Sequence, residues 1–402
     1  MYLFHIFRSF VPLRNPLGFG VSDLLALGLA LLALICIFGY AWAGNAIANF
    51  ARRPVWCMLA LFVLPIALRL ALLPRAPVPV ATSSAEFSSL LLSDTMLHAR
   101  LANPPHPLHA FFDAPFVSQT PTYHSTLPIV NGVLPASGQL LFHSAWAGIL
   151  LGIGALSAMV YWMLRAWITP GWALCGGALV ACAFGPLSRW TNSYWGGFIP
   201  TIAGCMVLGA LARLSRNRHA RDVVLLPAGT IGLLASPSLF CLLLPILTLA
   251  FMFLLKRLKQ FAPALLLSMV LMYGAHFLFW YGVHAFAAQP VVSALLPYEG
   301  QDFLDNRAAQ MHRAVINELD RQPGKQVVLV RRGPWQSSGD WVHNDADIDA
   351  SRIVWARDLG EVADRKLLEY YRNRKVWLLE PDAIPPRLRP YSASDGLLQN
   401  VQ

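Results

Sequence analysis

Acids are scarce in the first three quarters of this chain, so those present are the first candidates for chemistry. Only Asp23, Glu86, Asp94, Asp113 and Asp222 precede residue 290. Glu86, Asp94 and Asp113 fall within residues 75–139, beside His98, His106, His109 and His124 and the polar side chains of Asn103, Gln119 and Tyr123. A carboxylate among such groups can take the proton from an attacking hydroxyl, which is general-base catalysis. The same spacings also have plain structural readings. Ser83 and Glu86, three apart, match a helix capping box. Asp94 and His98, four apart, share one helical face and suit either a tuned base or a solvated ion pair.

Two cations could serve a phosphate. Arg69 interrupts an apolar run five residues before Pro74. It can snorkel to a membrane interface or hold a phosphate by charge-assisted hydrogen bonds. Arg189 opens the run Arg189-Trp-Thr-Asn192-Ser-Tyr194-Trp195-Gly-Gly. Its aromatic residues suit an interfacial belt and sugar stacking equally. Metal chemistry finds no support. The alternating Asp345, Asp347 and Asp349 start like a calcium loop, but Ala350 and Ala356 stand where the turn glycine and bidentate Glu belong. A turn of solvated acids accounts for them better. The six cysteines lie in apolar runs at no metal-binding spacing and read as packing residues.

These residues need elements to position them, and composition indicates the kind. Hydrophobic residues make up 56% of the 402 and charged residues 13%, about half the usual charged share. Before residue 290 there are 16 basic and 5 acidic residues, a net +11; after it, 15 and 16, a net −1. That division implies lipid first and water second. Apolar runs at 22–43, 56–74, 140–165, 199–214 and 262–287 read as spans, with weaker ones at 172–187, 223–239 and 241–255. Placing the Lys/Arg clusters in the cytoplasm fits eight alternating spans, with 75–139, 188–198 and 288–402 outside. Short topogenic loops account for the basic charge, so nucleic acid is not an expected partner.

A loop as long as 75–139 requires structure of its own. Ser83–Arg100 reads as an amphipathic helix at the membrane surface, ended by Asn103-Pro-Pro-His106-Pro. The tail changes period. Residues 301–321 and 361–374 read as helices, and Val327–Val330, Ile353–Ala356 and Val376–Leu379 as short strands. Such alternation predicts a small α/β sheet.

The segment from Glu86-Phe-Ser-Ser-Leu-Leu-Leu through Asp94, His98 and Arg100 to Asn103-Pro-Pro-His106-Pro resembles the first outer loop of GT-C superfamily membrane glycosyltransferases. More closely, it resembles a bacterial branch related to protein mannosyltransferase-like and aminoarabinose transferase-like enzymes. Gln119-Thr-Pro-Thr-Tyr123, the Arg189–Gly197 run and Trp341-Val-His-Asn344-Asp-Ala-Asp347-Ile-Asp349 add to the resemblance. Where that branch pairs Asp with Glu, this chain has Ala85 before Glu86.

The resemblance implies a polytopic α-helical membrane protein of about eight transmembrane helices, GT-C-like, with a small C-terminal α/β soluble domain. Its parts would be an interfacial segment 1–20, a transmembrane domain 21–289 and an extracytoplasmic domain 290–402. The implied activity moves a sugar from a polyprenyl-phosphate donor to an extracytoplasmic acceptor at a bacterial inner membrane. Glu86, Asp94 or Asp113 would be the base; Arg69, His98, Asn103, Tyr123, Arg189, Asn192, Tyr194 and Trp195 would bind substrate or phosphate. No cofactor is implied, and no motif supports a divalent cation. Two other classes fit less of the sequence: an inactive scaffold of the same fold, which Ala85 favours, and a transporter or flippase, against which no midplane acid appears.

Overall fold

The computed structural model describes residues 49–74, 76–186, 188–194, 197–214, 220–234, 246, 250, 253, 307–331, 341–383 and 385–391. Contacts divide the chain into two compact units. The first comprises Met1–Pro74, Ile153–Arg189 and Pro200–Asn306; the second comprises Arg75–Gly152, Trp190–Ile199 and Arg307–Gln402.

Helices dominate the described part of the first unit: α1 (Pro54–Ala71), then, numbered in chain order, α5 (Pro170–Phe184), α6 (Phe198–Leu214) and α7 (Ala220–Leu234). Helix α4 (Ala145–Leu164) begins in the second unit and continues into the first. Small residues allow close packing. A methyl on Gly177 would meet Leu61 and Tyr161, and Tyr161, Cys57, Leu61 and Ala173 form one buried cluster.

The expectation of about eight spans is overturned. Among the described residues two helices, α1 and α4, are long and apolar enough to cross a membrane. Pro170–Phe184, Phe198–Leu214 and Asp222–Leu233 are apolar but shorter. The reason is length: a helix of 15 residues rises about 22 Å, against a hydrocarbon core of about 30 Å. The runs expected at 22–43 and 262–287, nearly all of 241–255, and the segment 1–20 lie outside the described residues. The 140–165 run is not one helix either. His143 takes a left-handed conformation that ends α3 (Val130–Phe142), and α4 starts at Ala145.

In the second unit, α2 (Ser84–Leu97) packs on α3. A two-residue antiparallel pair, β1 (Val117–Ser118) with β2 (His124–Ser125), follows α2. The tail contributes α8 (Arg307–Asp320), β3 (Gln326–Val330), β4 (Ile353–Arg357), α9 (Glu361–Tyr370), β5 (Lys375–Glu380) and β6 (Arg387–Pro390). The sheet order is β4-β3-β5-β6, parallel except for the β5–β6 pair. Central β3 is buried throughout, as expected of a parallel strand covered on both faces. Its side chains alternate between two cores. Val327 and Leu329 join Leu91, Phe111, Phe112 and Tyr123 of the 75–139 segment, together with Leu367. Val328 and Val330 join Val315, Leu319, Trp341 and Trp355. The tail sheet thus shares a core with the segment that carries Glu86 and Asp94.

Candidate functional site

Helix α2 carries two of the candidate acids, and it is no surface helix. Glu86, Ser88, Ser89, Leu91, Leu92, Ser93 and Thr95 are all buried. Its hydroxyls make this tolerable. Ser88 donates to the Phe116 carbonyl at 2.6 Å and lies 2.7 Å from the Ser125 hydroxyl, and Thr95 bonds back to the Leu91 carbonyl. A small polar side chain with a partner inside the fold is buried at little cost. Hydropathy alone does not register this.

Glu86 caps its own helix. Oε2 accepts from the backbone N–H and hydroxyl of both Thr82 and Ser83, and Oε1 accepts the Tyr194 N–H at 3.0 Å. The Tyr194 hydroxyl in turn donates to the Pro79 carbonyl. Glu86 therefore ties residues 79–83 to 194, and the capping-box spacing is realised. A carboxylate receiving five hydrogen bonds is held in place as a structural acceptor. Glu86→Gln would turn an amide N–H2 toward N–H donors. We expect it to cost about 2–3 kcal/mol of stability, read from denaturant unfolding; an unchanged midpoint with lost activity would instead make Glu86 catalytic.

Asp94 lies eight residues further along α2, about 80° around the helix from Glu86 at 100° per residue, so the two acids diverge. Its Oδ2 accepts the Ala346 N–H at 2.7 Å. Oδ1 lies 3.5 Å from His98 Nδ1, which is already 2.9 Å from the Asp94 carbonyl. The Asp94 side chain is 31% exposed and that of His98 48%. Asp94 thus has one oxygen anchored by a backbone N–H and one in a longer contact with His98. Asp345 sits nearby. Crowding by protein atoms raises its carboxyl, a bond from the Ser351 hydroxyl opposes this, and the Asp94 charge adds to the rise. Asp113 lies elsewhere, paired with Arg357 at 3.1 Å on the exposed surface.

Asn103 and Tyr123 act as scaffolding. Their backbones pair in an isolated antiparallel bridge, and Asn103 donates to Thr95 Oγ1 at 2.8 Å. The Tyr123 hydroxyl donates to the Asn344 carbonyl at 3.0 Å; burial first, then Asp345 and Asp94, raise its pKa. Tyr194 is buried and Asn192 half-buried, and Trp195 lies outside the described residues. Arg69 and Arg189 belong to the first unit, whereas the acids belong to the second. Arg189 is exposed, and Arg69 is completely buried in α1, which removes the snorkelling alternative.

Three constellations escaped sequence reasoning. In the first, Asp349 Oδ1 accepts the Tyr371 hydroxyl at 2.6 Å and Oδ2 accepts the Tyr370 hydroxyl at 2.9 Å. His106 Nδ1 accepts the Leu108 N–H, which places its proton on Nε2, 3.3 Å from Asp349. The second is a stack of rings. His343 lies 3.8 Å from Phe87 and 5.0 Å from Trp355, and His312 lies 3.7 Å from Trp341. The third joins Arg331, Asp358 and Asp364 at the end of β3 and the start of α9. The expected turn of solvated acids is present, with all three carboxylates exposed but also bonded. Asp345, Asp347 and Asp349 all accept hydrogen bonds from within the fold. The only sequence signal was the density of His, Tyr and Asp in these stretches.

Beside the ring stack, Ser84, Phe87 and Leu91 of α2 face Tyr123, His343 and Asn344 across a cavity of about 20 Å³. That is room for about one water molecule. Among the described residues no group of three or more His, Cys, Asp or Glu could hold a metal ion. Comparison with family models, curated proteins and solved structures gave no match.

Proposed function

We propose that the chain is a membrane glycosyltransferase that takes its sugar from a polyprenyl-phosphate donor, with Asp94 as the base. The observation that carries this reading is the unequal state of the two Asp94 oxygens. The Ala346 N–H holds Oδ2 at 2.7 Å, while Oδ1 has only a longer, 3.5 Å contact with the half-exposed His98 ring. In the step envisaged, Oδ1 takes the proton of the acceptor hydroxyl as the acceptor oxygen bonds to the anomeric carbon. The carbon–oxygen bond to the lipid phosphate breaks, and the phosphate leaves with the electron pair. Support for the donor class comes from the motifs around Glu86–Pro107, Gln119–Tyr123 and Trp341–Asp349, and the two membrane-length helices suit a lipid-borne substrate. The same motifs are the support for placing the transfer at the outer face of a bacterial inner membrane.

A second reading, an inactive binding scaffold, has its own observation. Glu86 is consumed by capping, Ala85 carries no carboxyl, and the cavity beside α2 is far smaller than a sugar.

Incubation of the purified chain with labelled polyprenyl-phosphate sugars separates the two. Asp94→Asn keeps an acceptor for the Ala346 N–H but loses the base, so turnover should fall at least about 10²-fold with the unfolding midpoint kept. Absence of turnover with every donor would favour the scaffold.

A further inference from the structure

Asn344 sits at the junction between the tail sheet and Asp94. Its side chain behaves like a short piece of strand. Oδ1 accepts the Trp355 N–H at 2.9 Å, and Nδ2 donates to the Trp355 carbonyl at 2.8 Å. Strand β4 pairs with β3 on one side only, so Trp355 presents these groups on the sheet's free edge. An amide that offers one donor and one acceptor in a plane matches them both, and no other side chain of this length does. Asn344 is then fixed a second time through its main chain, where its carbonyl accepts the buried Tyr123 hydroxyl at 3.0 Å. Two residues on, the Ala346 N–H reaches Asp94 Oδ2 at 2.7 Å. Ala346 is itself buried in the core shared with Leu91 and Val327.

We propose that Asn344 is a positioning residue for Asp94: it clamps residues 344–346 to the β4 edge so that the Ala346 N–H anchors one carboxylate oxygen and thereby fixes where the other lies. This rests on the reading of Asp94 as the base. The physical point is that α2 alone does not hold the Asp94 side chain. His98 is half exposed and spends its Nδ1 on the helix carbonyl, so the tail supplies the firm contact. A catalytic group loses rate steeply when its orientation is released, and a flexible 344–346 turn would release it. Strand β3 contributes nothing directly to this contact, which makes it the internal control.

The test uses the full chain and two readouts. Hydrogen exchange at the Ala346 amide should quicken at least tenfold in Asn344→Ala, while the Val328 and Leu329 amides keep their protection. Asn344→Asp, which retains the acceptor and loses the donor, should fall between. In turnover with labelled polyprenyl-phosphate sugars, Asn344→Ala should lower kcat about tenfold with KM unchanged. The same substitution made in Asp94→Asn should lower the residual rate by less than twofold. Equal losses in both backgrounds would overturn the proposal, as would an Ala346 amide that exchanges no faster in Asn344→Ala. Should no donor turn over at all, the glycosyltransferase reading fails, and exchange at Ala346 alone decides whether Asn344 sets the geometry of Asp94.

Discussion

At pH 8 the Asp364→Asn variant should be more stable than the parent chain by about 4 kcal/mol, and at pH 4 the two should be nearly equal. Asp364 is buried at the first turn of α9, where its Oδ1 accepts the Leu359 N–H at 3.1 Å. Asp358 is beside it, bonded to Arg331 through Oδ2 at 2.5 Å and to the Gly360 N–H through Oδ1 at 3.0 Å. Arg331 thus lies near both carboxyl groups. Burial pushes the Asp364 carboxyl up to about 7; the Leu359 N–H opposes the rise, and the Asp358 carboxylate reinforces it. The folded chain therefore keeps a proton that the unfolded chain gives up above its ordinary value of 3.8. Stability falls as pH rises from about 4 through 7, and the loss is complete above that window. Asn supplies the same shape and a permanent N–H donor, which removes the dependence. Urea unfolding followed by tryptophan fluorescence at both pH values measures the difference, with exchange at the Leu359 amide as a local check. A variant no more stable than the parent at pH 8 would mean that burial does not hold the Asp364 carboxyl protonated.

Acid should act on the opposite face of the same sheet. His312 is 2% exposed, with a buried Nδ1 that has no hydrogen-bond partner among the described residues. His343 donates from Nδ1 to the Trp341 carbonyl at 2.9 Å and lies between Phe87 and Trp355. Burial holds His312 down at about 4. It holds His343 down at about 3, where His312 adds to the effect and the Trp341 carbonyl opposes it. Both rings are neutral in the folded chain, whereas unfolded histidine protonates near 6.5. Below 6.5 the unfolded chain binds more protons, so stability is lost as pH falls through the folded values. His312 alone accounts for roughly 3 kcal/mol by pH 4. His312→Phe, which fills the same stack on Trp341 without titrating, should remove that share. Its unfolding midpoint should change less between pH 7 and pH 4 than the parent's. Equal pH dependence in the two chains would refute the assignment.

Local features of the fold were legible to the extent that chemistry near in sequence decides them. Val327–Val330, Ile353–Ala356 and Val376–Leu379 are short β-branched or aromatic runs bounded by charges and turns, and strands stand at all three. The Ser83–Glu86 spacing announced the cap that Glu86 makes. Hydropathy overstates the spans because it averages across breaks. His143 in a left-handed turn divides one run, and several apolar helices stop short of membrane length. Strand β6 is too short to read locally, since Arg387-Leu-Arg-Pro has no β-branched or aromatic residue and ends in Pro, and it pairs with the edge that β5 offers.

The amino-acid sequence by itself determined where acids could matter, how the tail alternates between strand and helix, and that Glu86 would cap its helix. Each depends on contacts within a few residues. Tertiary structure alone decided the partner of each acid: Glu86 with Tyr194, Asp94 with Ala346, Asp349 with His106 and two tyrosines. Those partners are 108, 252 and 243 positions apart for the first, second and His106 pairs. A hydrogen bond acts over about 3 Å, so whether such groups meet depends on how the sheet, α2 and the loops fill one core, and no local period encodes that.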